Sequence, residues 1–183
     1  MPGAHRRPTA KEVAAAAGAT VPDVLAAGLD ILFVGINPGL YSGAVGHHFA
    51  RPGNRFWKAL AGAGFTDRVL TGFEDGALTG FGLGVTNLVE RATASADEVS
   101  DDELRAGVRR LEAKVRRFRP RAVAFLGVGM YRVAFGVRDA AVGARPERFA
   151  GATVWVLPNP SGLNAHYQVP ELIRLFGDLR ASL

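Results

Sequence analysis

Between residues 31 and 57, an unbroken apolar run, Ile31-Leu32-Phe33-Val34-Gly35-Ile36, stops abruptly at Asn37-Pro38-Gly39 and passes into a polar, glycine-rich loop. A run of this length bounded by turn residues fits a strand covered on both faces, the pattern of a parallel sheet with helices above and below. In such sheets ligands sit beyond the carboxyl ends of the strands, so Asn37 falls where chemistry is expected. Pro38 fixes one backbone angle, and Gly39 permits a turn that other residues resist. The loop runs through Gly46-His47-His48-Phe49 to Arg51-Pro52-Gly53, where Asn54 suits the N-cap of a helix carrying Phe56, Trp57 and Leu60.

Three further apolar segments, 83–89, 121–127 and 153–157, read as strands. Helical patterns separate them. The clearest opens on a capping box of Ser100 and Glu103 and repeats Leu104, Val108, Leu111, Val115 and Phe118 at helical spacing. A shorter helix is expected around 130–135, and a final one over 169–183 with Leu172, Leu175, Phe176 and Leu179 inward. Residues 62–82 read as loops with a short helical turn, and 136–151 as a variable, charged stretch. Alternating strands and helices place the chain in the α/β class, as a single three-layer α/β/α domain with a central, mainly parallel four-stranded sheet over 22–183. Ahead of it, 1–8 read as a mobile arm, and Thr9-Ala10-Lys11-Glu12 as a capping box for a short helix ending at Gly18.

A chain of 183 residues suits one domain, and its charge of +5 and pI of about 10.2 favour a polyanionic partner. It contains no cysteine, which excludes disulfides, thiolate zinc sites and cysteine-ligated iron–sulfur clusters. No apolar stretch has the length of a membrane span or signal peptide, so no membrane association and a cytoplasmic location are expected. Gly127-Val128-Gly129 is followed by Arg132 where a dinucleotide fingerprint wants glycine, and a Walker lysine is absent, so no nucleotide cofactor is expected. The arginines of the long helix (105, 109, 110, 116 and 117) read as the solvated face of a crossover helix.

Three ordered motifs carry a resemblance. Gly35-Ile36-Asn37-Pro38-Gly39-Leu40, followed by Gly46-His47-His48-Phe49 and Pro52-Gly53-Asn54-Arg55-Phe56-Trp57-Lys58, is similar to the mismatch-specific uracil/thymine-DNA glycosylases. Pro158-Asn159-Pro160-Ser161-Gly162-Leu163 resembles that family's DNA-intercalating loop, and Gly84-Val85-Thr86-Asn87-Leu88-Val89-Glu90-Arg91 its third motif. The resemblance implies a monomeric repair enzyme, free of metal and cofactor. It would remove uracil opposite guanine from double-stranded DNA, with thymine and damaged pyrimidines as further candidate substrates.

It also makes Asn37 the catalytic residue. A neutral amide is no general base, but it can orient a water. Forgoing a carboxylate base loses a factor of about 10² to 10⁴, so slow turnover is expected. Ile36, His48, Phe49 and Asn87 would form the base pocket, with Phe49 as the stacking surface. His47 and His48, adjacent and without a third ligand, make a poor metal site. Glu90 is the one nearby carboxylate considered as an auxiliary. Leu163 would be the wedge that fills the gap left by a flipped base, with Gly162 and Asn164 reading the widowed guanine and Ser161 bonding a phosphate. Two other classes remain open: a noncatalytic mismatch or lesion binder, and a small-molecule α/β binding domain whose affinity would lack steep salt dependence.

Overall fold

The first strand, β1 (Ile31–Gly35), is buried along its whole length, and its side chains divide between two cores. Ile31 and Phe33 pack with Phe56, Leu60, Leu172 and Phe176, while Leu32 and Val34 pack with Leu104, Leu111, Phe125 and Met130. Successive residues of a strand point to opposite faces, so burial on both faces demands the continuous apolar run seen in the sequence. The computed structural model describes residues 5–183. Four parallel strands lie in the order β2 (Leu83–Asn87), β1, β3 (Ala122–Leu126) and β5 (Ala152–Leu157). Helices α3 (Phe56–Gly62) and α6 (Val169–Ala181) supply one core, and α4 (Asp101–Phe118) and α5 (Val128–Phe135) the other. The three-layer α/β/α arrangement is therefore present.

The sheet has five strands rather than four. Strand β4 (Gly143–Phe149) pairs antiparallel with β5 at the sheet edge, inside the stretch read from sequence as variable and charged. Its pattern is hidden because the half-covered positions include Arg145 and Glu147, which bond each other at 3.0 Å. Glu147 also accepts from the hydroxyl of Tyr131, which burial and this bond push up to about 12. Pro146 lies where the register shifts between Arg145 and Arg148, a place a sheet edge tolerates a missing N–H.

Other boundaries moved modestly. Helix α3 starts at Phe56, with the Asn54 side chain accepting the Phe56 N–H at 3.0 Å. A short helix, α2 (Leu40–Val45), occupies part of the expected polar loop, and a ten-residue 3₁₀ helix (Gly72–Phe81) occupies the glycine-rich segment before β2. The capping boxes expected at Ser100 and Thr9 both form, the latter opening α1 (Ala10–Ala14). Where the N-terminal arm is described, the His5 ring stacks on Phe73 with centroids 4.3 Å apart, and Arg6 pairs with Glu12. Residues 1–4 lie outside the described residues. No helix among those described is long and apolar enough to cross a membrane.

Candidate active site

Asn37 lies two residues beyond the end of β1, and its amide nitrogen is fully committed. It donates to the carbonyls of Arg91 at 3.0 Å and Pro38 at 3.2 Å, and to the Thr93 hydroxyl at 2.8 Å. Thr93 passes its own proton to the Ser95 carbonyl at 2.7 Å, which leaves its oxygen as the acceptor. Three acceptors around one nitrogen settle which way the amide faces. The carbonyl oxygen, Oδ1, accepts no hydrogen bond from the protein among the described residues, and Asn37 lines the cavity described below. The 91–93 segment is itself clamped: Arg91 grips Glu103 of α4 through two bonds of 2.6 and 3.0 Å, holding that carboxyl down to about 2.

The adjoining loop, 47–50, is fixed residue by residue. The His48 N–H donates to Asp75 at 2.9 Å, the indole N–H of Trp57 donates to the Phe49 carbonyl at 3.0 Å, and the Ala50 N–H donates to the Ser42 hydroxyl at 3.2 Å. These bonds hold Phe49 at φ +49, a left-handed conformation that costs a bulky side chain about 1–3 kcal/mol. The constraint aims the ring across the site, backed by Phe56 with centroids 4.2 Å apart.

His48 and Asn87 form the third wall. His48 Nε2 bonds the Pro22 carbonyl at 2.9 Å, and Nδ1 faces the Asn87 amide nitrogen at 3.4 Å. Burial pushes the His48 pKa below its ordinary value, so near neutral pH the ring carries one proton. With that proton on Nε2, Nδ1 accepts from Asn87. Both ring nitrogens are thus engaged, and His48 holds Asn87 in place. Gly35 permits the close approach, because a Cβ there would lie 2.5 Å from Asn87 Oδ1.

These groups line one cavity of about 730 Å³, together with Ile36 and, at its mouth, Ser161, Leu163 and Asn164. Leu163 is 76% exposed, more than any other large hydrophobic side chain among the described residues. Its loop is braced internally: the Ser161 N–H donates to Asn159 Oδ1 at 3.0 Å, the Leu163 N–H to the Ser161 hydroxyl at 3.3 Å, and the Asn164 side chain to the Asn159 carbonyl at 3.1 Å. Asn164 spends its own N–H on the Ser161 carbonyl and its carbonyl on Arg55. Gly162 is exposed and spends no backbone group in this network.

Nine of the ten site residues expected from sequence therefore border this cavity or its loop. Glu90 does not. It is turned toward Lys114, 3.6 Å away, which also pairs with Asp23 at 2.6 Å, and it does not line the cavity. The supports that sequence reasoning missed are Ser42, Arg55, Asp75 and Thr93. Each acts through a backbone group or side chain distant in sequence, and only the burial of a carboxylate, visible once the chain is folded, marks Asp75. His47 pairs with Asp75 at 3.0 Å, and among the described residues no three side chains gather as a metal-binding group.

The model of the uracil DNA glycosylase superfamily matches residues 22–180, nearly the whole chain. The chain belongs to the uracil DNA glycosylase superfamily. Its activity class is that of a DNA glycosylase, a hydrolase acting on DNA. The fold agrees with the solution structure of a protein from Methanosarcina acetivorans provisionally assigned as a uracil DNA glycosylase. The TM-score is 0.55 at 19% identity, covering 89% of this chain and 98% of that one.

Proposed function

We propose that this superfamily member is a monofunctional, monomeric glycosylase that excises uracil opposite guanine from duplex DNA by flipping the base into the cavity. The observation that carries the chemistry is the Asn37 amide in the cavity wall, whose nitrogen is spent on three protein acceptors while Oδ1 takes no protein donor among the described residues. That oxygen accepts a hydrogen bond from a water and aims it at C1′ of the deoxyribose. The water oxygen bonds to C1′ as the C1′–N1 bond breaks, the electron pair leaves with the base, and the water's proton is released to solvent. Positioning of this kind, without a carboxylate base, fits slow turnover.

The base would lie against Phe49, with Ile36 and Asn87 at its edges and His48 behind Asn87. Leu163 would enter the vacated stack, Gly162 and Asn164 would face the widowed guanine, and the Ser161 hydroxyl, which accepts from the Leu163 N–H, keeps a proton to donate to a phosphate. Exposure of Leu163 beside the cavity supports the wedge; the commitment of Asn164's backbone within the loop shifts guanine reading toward Gly162.

The test is alkaline cleavage of labelled duplexes carrying G·U, G·T or A·U after incubation with the protein. Release from G·U exceeding that from A·U is expected, and the G·T lane reports whether thymine is accepted. Equal release from A·U and G·U would remove the mismatch preference. No release from duplexes that the protein binds would replace the enzyme with a noncatalytic mismatch binder.

A further inference from the structure

The Leu163 loop is fastened to the rest of the domain by an arginine that lies outside the cavity. Arg55, immediately before α3, directs its guanidinium into the loop and donates to the carbonyls of Ser161, Asn164 and Tyr167, the Asn164 bond being 2.7 Å. Its backbone N–H donates to the Pro160 carbonyl at 3.1 Å. One residue thus holds four carbonyls along the 160–167 loop. No carboxylate pairs with Arg55 among the described residues, and its Nε is buried without an acceptor. A cation placed so is tolerated only through good hydrogen bonding, and here all of that bonding goes to the loop. Packing adds to the fastening, since a Cβ on Gly162 would stand 3.0 Å from the Gly53 carbonyl. Two residues after Arg55, Trp57 holds the Phe49 carbonyl. The first turn of α3 therefore mounts both the stacking ring and the exposed leucine.

We propose that Arg55 is the positioning residue of the Leu163 loop, and that it governs action on paired DNA without touching substrate. The proposal rests on the glycosylase reading above for its kinetic consequence, but its structural core can be measured independently. Lysine keeps the charge but presents a compact ammonium in place of a planar fork, and it cannot span three separated carbonyls. In Arg55→Lys, amide hydrogen exchange over residues 161–168 of the free protein should accelerate about tenfold or more, while β1 and β3 keep wild-type protection. Uracil release from duplex should fall about tenfold, and release from single strands by less than about threefold. Adding Leu163→Ala to Arg55→Lys should cost far less than Leu163→Ala alone, because the two substitutions disable one device.

Unchanged exchange over 161–168 would overturn the proposal whatever the activity. Equal losses on duplex and single strands, or full additivity with Leu163→Ala, would overturn it as well. Arg55→Gln serves as a second variant, and global unfolding of both would make Arg55 a core residue instead. If the wild type released no base from any DNA, the glycosylase reading would fail, and the exchange measurement would still decide whether Arg55 mounts the loop.

Discussion

Residues 47–50 and residues 158–167 border the same cavity but are held in opposite ways. In the first loop, three successive residues are pinned by side chains from three separate elements, Asp75, Trp57 and Ser42. In the second, the turn is built from its own Asn159, Ser161 and Asn164 side chains and fastened chiefly by one residue, Arg55, through its guanidinium and backbone N–H. The first arrangement sustains a strained Phe49 and a fixed pocket wall; the second exposes a leucine on a preformed turn whose side-chain hydrogen bonds to the rest of the domain come from Arg55 alone among the described residues. Under the proposed function the difference would suit two tasks, receiving a base at a rigid surface and entering a duplex that must deform.

Substitutions that separate strand requirements test this contrast. Leu163→Ala should lower uracil release from duplex by about tenfold or more and leave single-strand release nearly intact, since only a paired stack needs filling. A quenched-flow comparison of the two substrates checks it, and equal losses on both would merge the roles of the two loops. Asp75→Ala should act differently, lowering release from both substrates. It leaves the buried His48 N–H without its acceptor, so thermal or urea unfolding should show a loss of about 1–3 kcal/mol.

A gentler probe of the first loop is pH. The folded-state pKa of His48 lies below its unfolded value of about 6.5. Above that value the ring is neutral in both states. As pH falls through it, the unfolded chain takes up the proton first, so stability declines until the folded pKa is reached. Melting curves between pH 7.5 and 5 should show a decline that is shallower in His48→Gln, and identical slopes would remove His48 as the source. Smallest of all is the effect expected at Arg51, exposed at the cavity rim and unpaired among the described residues. Arg51→Gln should weaken DNA binding alike for all sequences and reduce the salt slope by about one.

The sheet strands and the long helix were legible because burial on both faces, helical periodicity and capping boxes each leave a local mark in the sequence. Asn37, Phe49 and Leu163 were singled out for another reason, the resemblance of their motifs to a glycosylase family; the fold brings all three to one cavity, and their roles there are proposals. Strand β4 was not, because its half-covered positions hold an arginine and a glutamate that pair with each other, and Pro146 argues against a strand. Nor were the anchors: Asp75 is 27 residues from His48, and Arg55 is 106 residues from Ser161. Such pairings depend on how the chain closes, and neither residue type nor spacing announces them. Glu90 shows the converse, a carboxylate close in sequence to the site that the fold turns toward Lys114.

The water-positioning role proposed for Asn37 can be measured by single-turnover uracil release from a G·U duplex with wild type and Asn37→Ala, with binding of the same duplex measured in parallel. The release rate should fall by about 10²-fold or more with affinity changed only slightly, because the substitution removes the group proposed to place the water. An Asn37→Ala protein that releases uracil at the wild-type rate would contradict it.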